Sequence, residues 1–97
     1  MYSLEFHQKV DKEIARLDKG AIKAIRDIHL PKILQAPRTA GKDLRDNLAG
    51  LKSYKFVFNR VDYRIIYDVV EERLTVLILM VGPRENLYKR LLNRLER

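Results

Sequence analysis

The sequence predicts an α+β fold in which a helical hairpin packs on a small, mainly antiparallel sheet. One short segment with alternating apolar residues opens the chain, and two segments with helical spacing follow it. The second half then contains three segments that alternate or are apolar throughout, and a short helical segment ends the pattern. The predicted order is β-α-α-β-β-β with a short C-terminal helix, and strands gathered after helices are typical of an antiparallel α+β sheet.

The first half of the chain contains the first strand and the hairpin. Tyr2, Leu4 and Phe6 alternate with other residues, which predicts a short strand over residues 2–7. Two helical segments follow, set by Val10, Ile14 and Leu17 and, after the turn Asp18-Lys19-Gly20, by Ala21, Ile22, Ile25 and Ile28. Two short helices joined by a turn that contains glycine predict a helical hairpin.

Two prolines mark the end of the hairpin. Inside a helix Pro31 would remove a hydrogen bond and cost ~3 kcal/mol. We therefore expect the second helix to kink near His29-Leu30 or to restart at Pro31, where a proline is tolerated. Pro37 is expected to end the helical stretch, and residues 38–52 are polar and expected to be irregular.

Three strands are predicted in the second half. The first two carry the alternating residues Tyr54, Phe56 and Phe58, and then Tyr63, Ile65, Tyr67 and Val69. The run 74–81 is almost continuously apolar and predicts a central strand. Glu71-Glu72-Arg73 is the expected hairpin link before it, and Gly82-Pro83 is expected to stop it. Leucines at helical spacing over 87–95 predict a basic amphipathic helix.

Composition favours one basic domain over residues 1–97. Apolar residues make up 46% of the chain and charged residues 34%, which is typical of a globular protein. The net charge of +7 favours an anionic partner such as RNA, DNA, an acidic protein or a membrane surface. The longest apolar run is far shorter than the ~20 residues of a membrane helix. The amino terminus lacks the pattern of a secretory signal.

Several classes of chemistry are excluded by residue type. The sequence contains no cysteine, which excludes disulfides, thiol catalysis and cysteine-ligated zinc. His7 and His29 are far apart and lack the spacing of metal ligands. No phosphate-binding glycine loop, dinucleotide fingerprint or nucleophile elbow occurs. We therefore expect neither a metal nor a cofactor.

Three basic residues are candidates for an anion site. Lys55 and Arg64 alternate with the aromatic residues of their strands, so they project from the opposite face. Arg84 comes directly after the last predicted strand. We expect these three cations to converge and to hold a phosphate group.

Structural roles remain open for the same residues. Lys55 can be a solvated strand residue. Arg64 can form an ion pair with Asp62 or Asp68 that stabilises the sheet. Arg84 can instead orient its turn through a neighbouring carboxylate or a backbone carbonyl.

The second half of the chain resembles the RelE/ParE toxin superfamily. The residues that carry the resemblance are, in order, Leu44-Arg45, Tyr54-Lys55-Phe56, Tyr63-Arg64-Ile65-Ile66-Tyr67, Val76 to Val81, and Gly82-Pro83-Arg84-Glu85-Asn86-Leu87-Tyr88. The element order matches across essentially the whole chain. The resemblance implies the toxin of a type II toxin–antitoxin pair, with a cognate antitoxin protein as partner and a heterotetramer as a compatible assembly.

Two activities are implied by the resemblance. The RelE branch, which we favour, consists of cytoplasmic ribonucleases that cut mRNA on the ribosome without a metal and so inhibit translation. The ParE branch instead inhibits DNA gyrase. A third interpretation is an inactive homologue that serves as a basic binding module.

The resemblance also implies roles for individual residues. Lys55 and Arg64 would neutralise phosphate charge, and Arg84 would act at the leaving phosphate. Tyr88 would stack on a base or orient the RNA backbone, unless its ring only packs beneath the last helix. Further contacts to RNA or antitoxin are expected at Arg45, Lys52 and Arg60.

Val57 departs from the RelE pattern. That pattern has a second lysine two residues after the first, and this lysine is the usual candidate for the general base. Valine cannot take a proton, so Lys55 would have to act as the general base instead. That requires neighbouring cations to lower the pKa of Lys55 until its amine is partly neutral. The departure favours the gyrase and binding-module interpretations.

Overall fold

A five-stranded sheet forms the centre of the computed structural model, which describes residues 1–96. The strands are β1 (Ser3–Phe6), β2 (Lys42–Asp43), β3 (Lys52–Phe58), β4 (Val61–Val70) and β5 (Thr75–Pro83). Their order in the sheet is β1-β5-β4-β3-β2. β1 is parallel to β5, and the other pairs are antiparallel. The predicted α+β fold is confirmed, with β2 added inside the segment that was expected to be irregular.

Helices cover both faces of this sheet. They are α1 (Val10–Ala15), α2 (Lys19–Ala24), α3 (Leu30–Gln35), α4 (Pro37–Ala40) and α5 (Leu87–Leu95). The helical hairpin, made of α1, α2 and α3, packs on one face, and α5 packs on the other. Within residues 1–96, no helix is long and apolar enough to cross a membrane.

A π-helical turn carries the hairpin past Pro31. This turn, Ile25–His29, joins α2 directly to α3, and the Leu30 N–H donates to the carbonyl of Ile25. A proline crowds the carbonyl one turn earlier, and a locally wider turn relieves that clash. Pro37 does not end the helical stretch as expected. The chain breaks at Ala36 (φ −148°), and Pro37 begins α4.

Gly20 lies inside α2 rather than in the connecting turn. Asp18 caps this helix by accepting a hydrogen bond from the Gly20 N–H at 2.7 Å. A Cβ atom on residue 20 would overlap Cζ of Phe58. The missing side chain therefore allows α2 to lie close against β3.

Two apolar clusters fill the space between the helices and the sheet. The hairpin-side cluster contains Val10, Ala21, Ile25, Ile33, Tyr54, Phe56, Tyr63, Ile65, Tyr67, Val76, Ile78 and Val81. The α5-side cluster contains Leu48, Ile66, Leu79, Met80, Leu87 and Leu91. β5 contributes to both, which explains its almost continuous apolar sequence.

A β-bulge interrupts the pairing of β4 with β5. Ile66 pairs with Met80 and Tyr67 pairs with Ile78, so Leu79 is an extra residue in β5. Consequently Leu79 and Met80 both join the cluster under α5.

The ends of β5 differ from expectation. A 3₁₀ turn, Glu71–Arg73, precedes it, and Leu74 then has φ 47°, a left-handed conformation that glycine or asparagine usually takes. The strand therefore begins at Thr75. At its other end it continues through Gly82-Pro83, because Gly82 and Pro83 still pair with β4.

Candidate functional site

Lys55 and Arg64 lie directly opposite each other in the β3–β4 ladder, and Arg64 lies opposite Gly82 of β5. Residues opposite each other project from the same face of a sheet. This is the α5-side face, since the neighbouring Phe56 and Tyr63 are buried under the hairpin. The expected separation of cations from aromatic side chains is therefore present.

Asp62 is the carboxylate around which these cations gather. Its Oδ1 accepts a hydrogen bond from Arg64 Nε at 2.9 Å, and its Oδ2 accepts one from Arg64 Nη2 at 3.3 Å. The Lys55 Nζ lies 3.9 Å from Oδ2. The Arg64 hydrogen bond above all, and then the charges of Arg64, Lys55 and Arg84, lower the pKa of Asp62. Of the two carboxylates that the sequence offers to Arg64, Asp62 is thus the partner.

Arg84 lies beside the same carboxylate. Its backbone N–H donates to the Asp62 carbonyl oxygen at 2.8 Å. Both residues line a pocket of about 330 Å³, together with Arg60 and Glu85 among others. The contact that orients the turn is made by the backbone of Arg84, and its side chain is exposed.

Tyr88 connects α5 to the cations. Its hydroxyl accepts a hydrogen bond from Arg64 Nη1 at 3.1 Å and lies 3.2 Å from Ser53 Oγ. Its ring packs against the α5-side cluster. The ring therefore packs beneath α5 and places the hydroxyl at Arg64, while the role of Tyr88 toward RNA stays a prediction.

Ser53 is a site residue that the sequence does not single out, and Asp62 is expected from the sequence only as one of two possible ion-pair partners of Arg64. Ser53 is buried and precedes Lys55 by two positions, so both project from the same face of β3. That spacing is the available signal. Asp62 has the same two-residue spacing from Arg64 on β4.

The three expected contact residues are distributed differently. Arg60 lines the pocket with Arg84. Lys52 has the strand phase of Tyr54, so it lies on the face opposite to Lys55, and its Nζ pairs with Asp43. Arg45 is exposed in the loop after β2. Only Arg60 of these three lies next to the cations around Asp62.

Neither histidine reaches the site. His29 stacks on Phe56 at a ring-centroid distance of 4.1 Å, and its Nδ1 lies 2.8 Å from the Tyr54 hydroxyl. These contacts place it on the hairpin side. Nδ1 of His7 accepts the Lys9 N–H after β1. Within the part of the chain that the structure describes, no group of three or more metal-ligating side chains is found.

A basic face held by Asp62 and Tyr88, on a sheet backed by a helical hairpin, fits the class of small bacterial toxins that the sequence resembles. The family described as ParE-like toxin of type II bacterial toxin-antitoxin system matches residues 4–92, and the chain belongs to this family.

Individual relatives agree with this assignment. The chain is 29% identical over 89 residues to toxin RelG of Mycobacterium tuberculosis, covering 92% of this chain and 98% of that toxin. It is 29% identical over 85 residues to mRNA interferase toxin RelE of Escherichia coli K12, covering 87% of this chain and 84% of that protein. A chain of the M. tuberculosis toxin–antitoxin complex RelBE2 matches with a TM-score of 0.76 at 28% identity, over 86% of this chain and 98% of that chain. The protein is therefore a RelE-like type II toxin.

Proposed function

We propose that this toxin is a metal-free endoribonuclease that cleaves mRNA on the ribosome and thereby inhibits translation in the cytoplasm. The observation that carries the proposal is the Arg64 guanidinium, held between Asp62 and Tyr88 next to Lys55 and Arg84. The relative named mRNA interferase toxin RelE supports the choice of substrate.

The geometry suits stabilisation of a phosphorane. In metal-free cleavage the RNA 2′-oxygen bonds to phosphorus and gives its proton to a general base, while the bond from phosphorus to the 5′-oxygen breaks and that oxygen takes up a proton. Negative charge builds on the phosphate oxygens in between. Arg64 donates its Nε–H and one N–H of Nη2 to Asp62, and it donates one N–H of Nη1 to Tyr88. One N–H on each Nη is left for a phosphate oxygen. Because two neighbours fix the guanidinium, it does not have to be ordered when RNA binds.

The other cations complete the charge around the reacting phosphate. Lys55 lies across the ladder from Arg64, and its side chain is 59% exposed. The exposed Arg84 can contact the reacting phosphate from the pocket beside Asp62 and stabilise the charge that develops on the departing 5′-oxygen. Tyr88 acts as a positioning residue for Arg64.

The proposed partner is a cognate antitoxin. The RelBE2 complex shows that a toxin of this shape assembles with an antitoxin. Carboxylates placed on Lys55, Arg64 and Arg84 would neutralise the site directly. A complex in which mutation of all three cations leaves assembly and its salt dependence unchanged would contradict this mode of inhibition.

Transcript mapping tests the nuclease activity. The toxin is induced in cells with and without the adjacent antitoxin gene, and mRNA ends are mapped by primer extension. New ends should appear only without antitoxin, and Arg64→Ala and Arg84→Ala should abolish them and relieve growth arrest. Arg26→Ala is the matched control, since Arg26 is exposed on the hairpin and pairs only with its neighbour Asp27 among the described residues. Intact transcripts beside arrested growth would rule out the nuclease.

Inhibition of DNA gyrase is the second candidate function. It is favoured by Val57, which leaves the position of the usual general base without a titratable group. A supercoiling assay with purified gyrase distinguishes the two. Inhibition by the wild type, retained in Arg64→Ala, would support the gyrase function.

A further inference from the structure

A second basic cleft lies between α1 and α5, beside the last residues of β5. It has a volume of about 520 Å³. Within residues 1–96, the charged side chains that line it are five cations and one carboxylate: Lys9, Lys12, Arg16, Arg90, Arg94 and Glu13. The cleft is separate from the pocket beside Asp62, although Pro83 lines both.

The carboxylate does not neutralise the cleft. Glu13 is paired with Arg94 through contacts of 3.1 Å and 2.6 Å, and both side chains are nearly buried. Glu13 also accepts the Val81 N–H at 3.2 Å, and its Oε2 lies 3.9 Å from Arg90 Nη1. Since Arg94 balances Glu13, the remaining lysines and arginines leave a net positive charge in the cleft.

The adjoining edge of β5 is unsuited to binding a peptide strand. The Val81 N–H is already donated to Glu13, and the Leu79 carbonyl accepts a hydrogen bond from Arg94 Nη1 at 2.7 Å. Pro83 has no N–H to offer. Addition of a strand requires a free row of such groups. The cleft therefore offers charge rather than backbone pairing, which excludes strand addition as the mode of binding.

Arg90 links the cleft to the candidate site. A Cβ atom on Gly82 would lie 3.4 Å from Arg90 Nη2, so this guanidinium lies against Gly82. Gly82 is the β5 residue opposite Arg64. The positive charge therefore continues from Lys55 and Arg64 across Gly82 to Arg90 and into the cleft.

We propose that the cleft binds the phosphodiester backbone of single-stranded RNA, at nucleotides that flank the phosphate held at Arg64. The inference rests on the proposed nuclease function, and it adds a second, non-catalytic contact with the same RNA. Lys12 lies on α1 and Arg16 directly follows this helix, and both are exposed and line the cleft. They are the residues through which binding can be tested without disturbing the Glu13–Arg94 pair.

The test measures binding of a labelled single-stranded RNA of about a dozen nucleotides, protected from cleavage by 2′-O-methyl groups. The double variant Lys12→Gln/Arg16→Gln is compared with Lys19→Gln/Lys23→Gln on α2, which has the same spacing and the same loss of charge. Each phosphate contact adds about 0.7 to the salt slope for single strands. The cleft variant should therefore lose about 1.4 in slope and about 25-fold in affinity at 0.1 M salt. The α2 variant should lose less than about threefold.

Two outcomes would overturn the proposal. If RNA affinity falls equally in both double variants, RNA binding depends only on the total charge of the protein and not on the cleft. Binding of a hexaglutamate peptide is measured in the same way. If the cleft variant loses peptide binding but keeps RNA binding, the cleft binds an acidic peptide instead. Because the probe cannot be cleaved, binding is read separately from nuclease activity. If the salt slope changes as expected but transcripts in cells stay uncut, RNA binding by the cleft is supported and the proposed nuclease function is rejected.

Discussion

Val57 lies directly opposite Asp62 in the β3–β4 ladder. Val57 is 61% exposed, on the face that carries Lys55 and Arg64. Opposite Cβ atoms in an antiparallel pair are about 4.5–5.5 Å apart. A long basic side chain at position 57 would therefore reach the Asp62 carboxylate and the phosphate that we propose binds beside it.

If the proposed nuclease function holds, Val57→Lys should raise the rate of mRNA cleavage. The new amine adds a proton acceptor or a further cation at the reacting phosphate, and general acid–base catalysis contributes about 10²–10⁴-fold where it operates. We expect at least a tenfold faster cleavage of mRNA on programmed ribosomes, measured as an initial rate. Val57→Met, similar in length but uncharged, is the control and should behave as wild type. An unchanged rate in Val57→Lys would mean that position 57 is remote from the reacting phosphate.

Asp62→Asn should separate RNA binding from cleavage. Removing the negative charge makes the site more positive, so RNA should bind a few-fold more tightly. Arg64 loses its charge-assisted hydrogen bonds and is held less firmly, so the cleavage rate at saturating substrate should fall at least tenfold. Asp68→Asn on the same strand is the control with the same charge change. Parallel losses in binding and rate would contradict the positioning role of Asp62.

Glu13→Gln should destabilise the protein strongly. It leaves Arg94, whose side chain is only 10% exposed, without its ion-pair partner. Breaking a buried pair by removing one partner costs about 3–5 kcal/mol. We expect a loss of about 3 kcal/mol in the free energy of unfolding in urea. Asp27→Asn removes an exposed pair with Arg26 and should change stability by less than about 1 kcal/mol. Similar values for both variants would show that solvent reaches the Glu13–Arg94 pair.

Stability should fall as the pH drops below about 6.5. Burial above all, and then the charge of Lys32, lower the pKa of His29 from its ordinary value of 6.5. As the pH falls, His29 is therefore protonated in the unfolded chain before it is protonated in the folded protein. Its contribution to stability is fully present above about pH 6.5, and it is lost as the pH falls from there through the lower pKa of the folded state. Urea unfolding at pH 7.5 and pH 5.5 measures the difference. His29→Gln should reduce it, with the remainder due in part to His7, whose pKa burial also lowers. An undiminished pH dependence in His29→Gln would exclude His29 as its source.

Side-chain alternation was sufficient to place Lys55 and Arg64 on one face, because the two-residue period of a strand is a local property. The register that sets them opposite each other was harder to predict. It depends on a two-residue turn, Asn59-Arg60, in which φ is 52° and 70°. Asparagine is a typical first residue of such a turn, but arginine in the second position gives no signal.

Non-local contacts account for the rest of what the sequence did not reveal. Glu13 and Arg94 are 81 positions apart, and their pairing depends on how α1 and α5 meet at β5. The bulge at Leu79 and the opposition of Val57 and Asp62 likewise follow from strand pairing rather than from local pattern. The sequence offers Asp62 and Asp68 equally as ion-pair partners of Arg64, because local spacing does not distinguish them. Only the structure shows that Asp62 is the partner.

The parallel pairing of β1 with β5 has a consequence for synthesis. Ser3 meets Thr75 across 72 positions, and Arg84 and Tyr88 come later still. Contacts between residues so far apart in sequence close late in folding. A nascent chain therefore carries an incomplete sheet until β5 has emerged, and its arginines and tyrosine cannot meet before then. The cluster around Asp62 is therefore among the last features that the growing chain can complete.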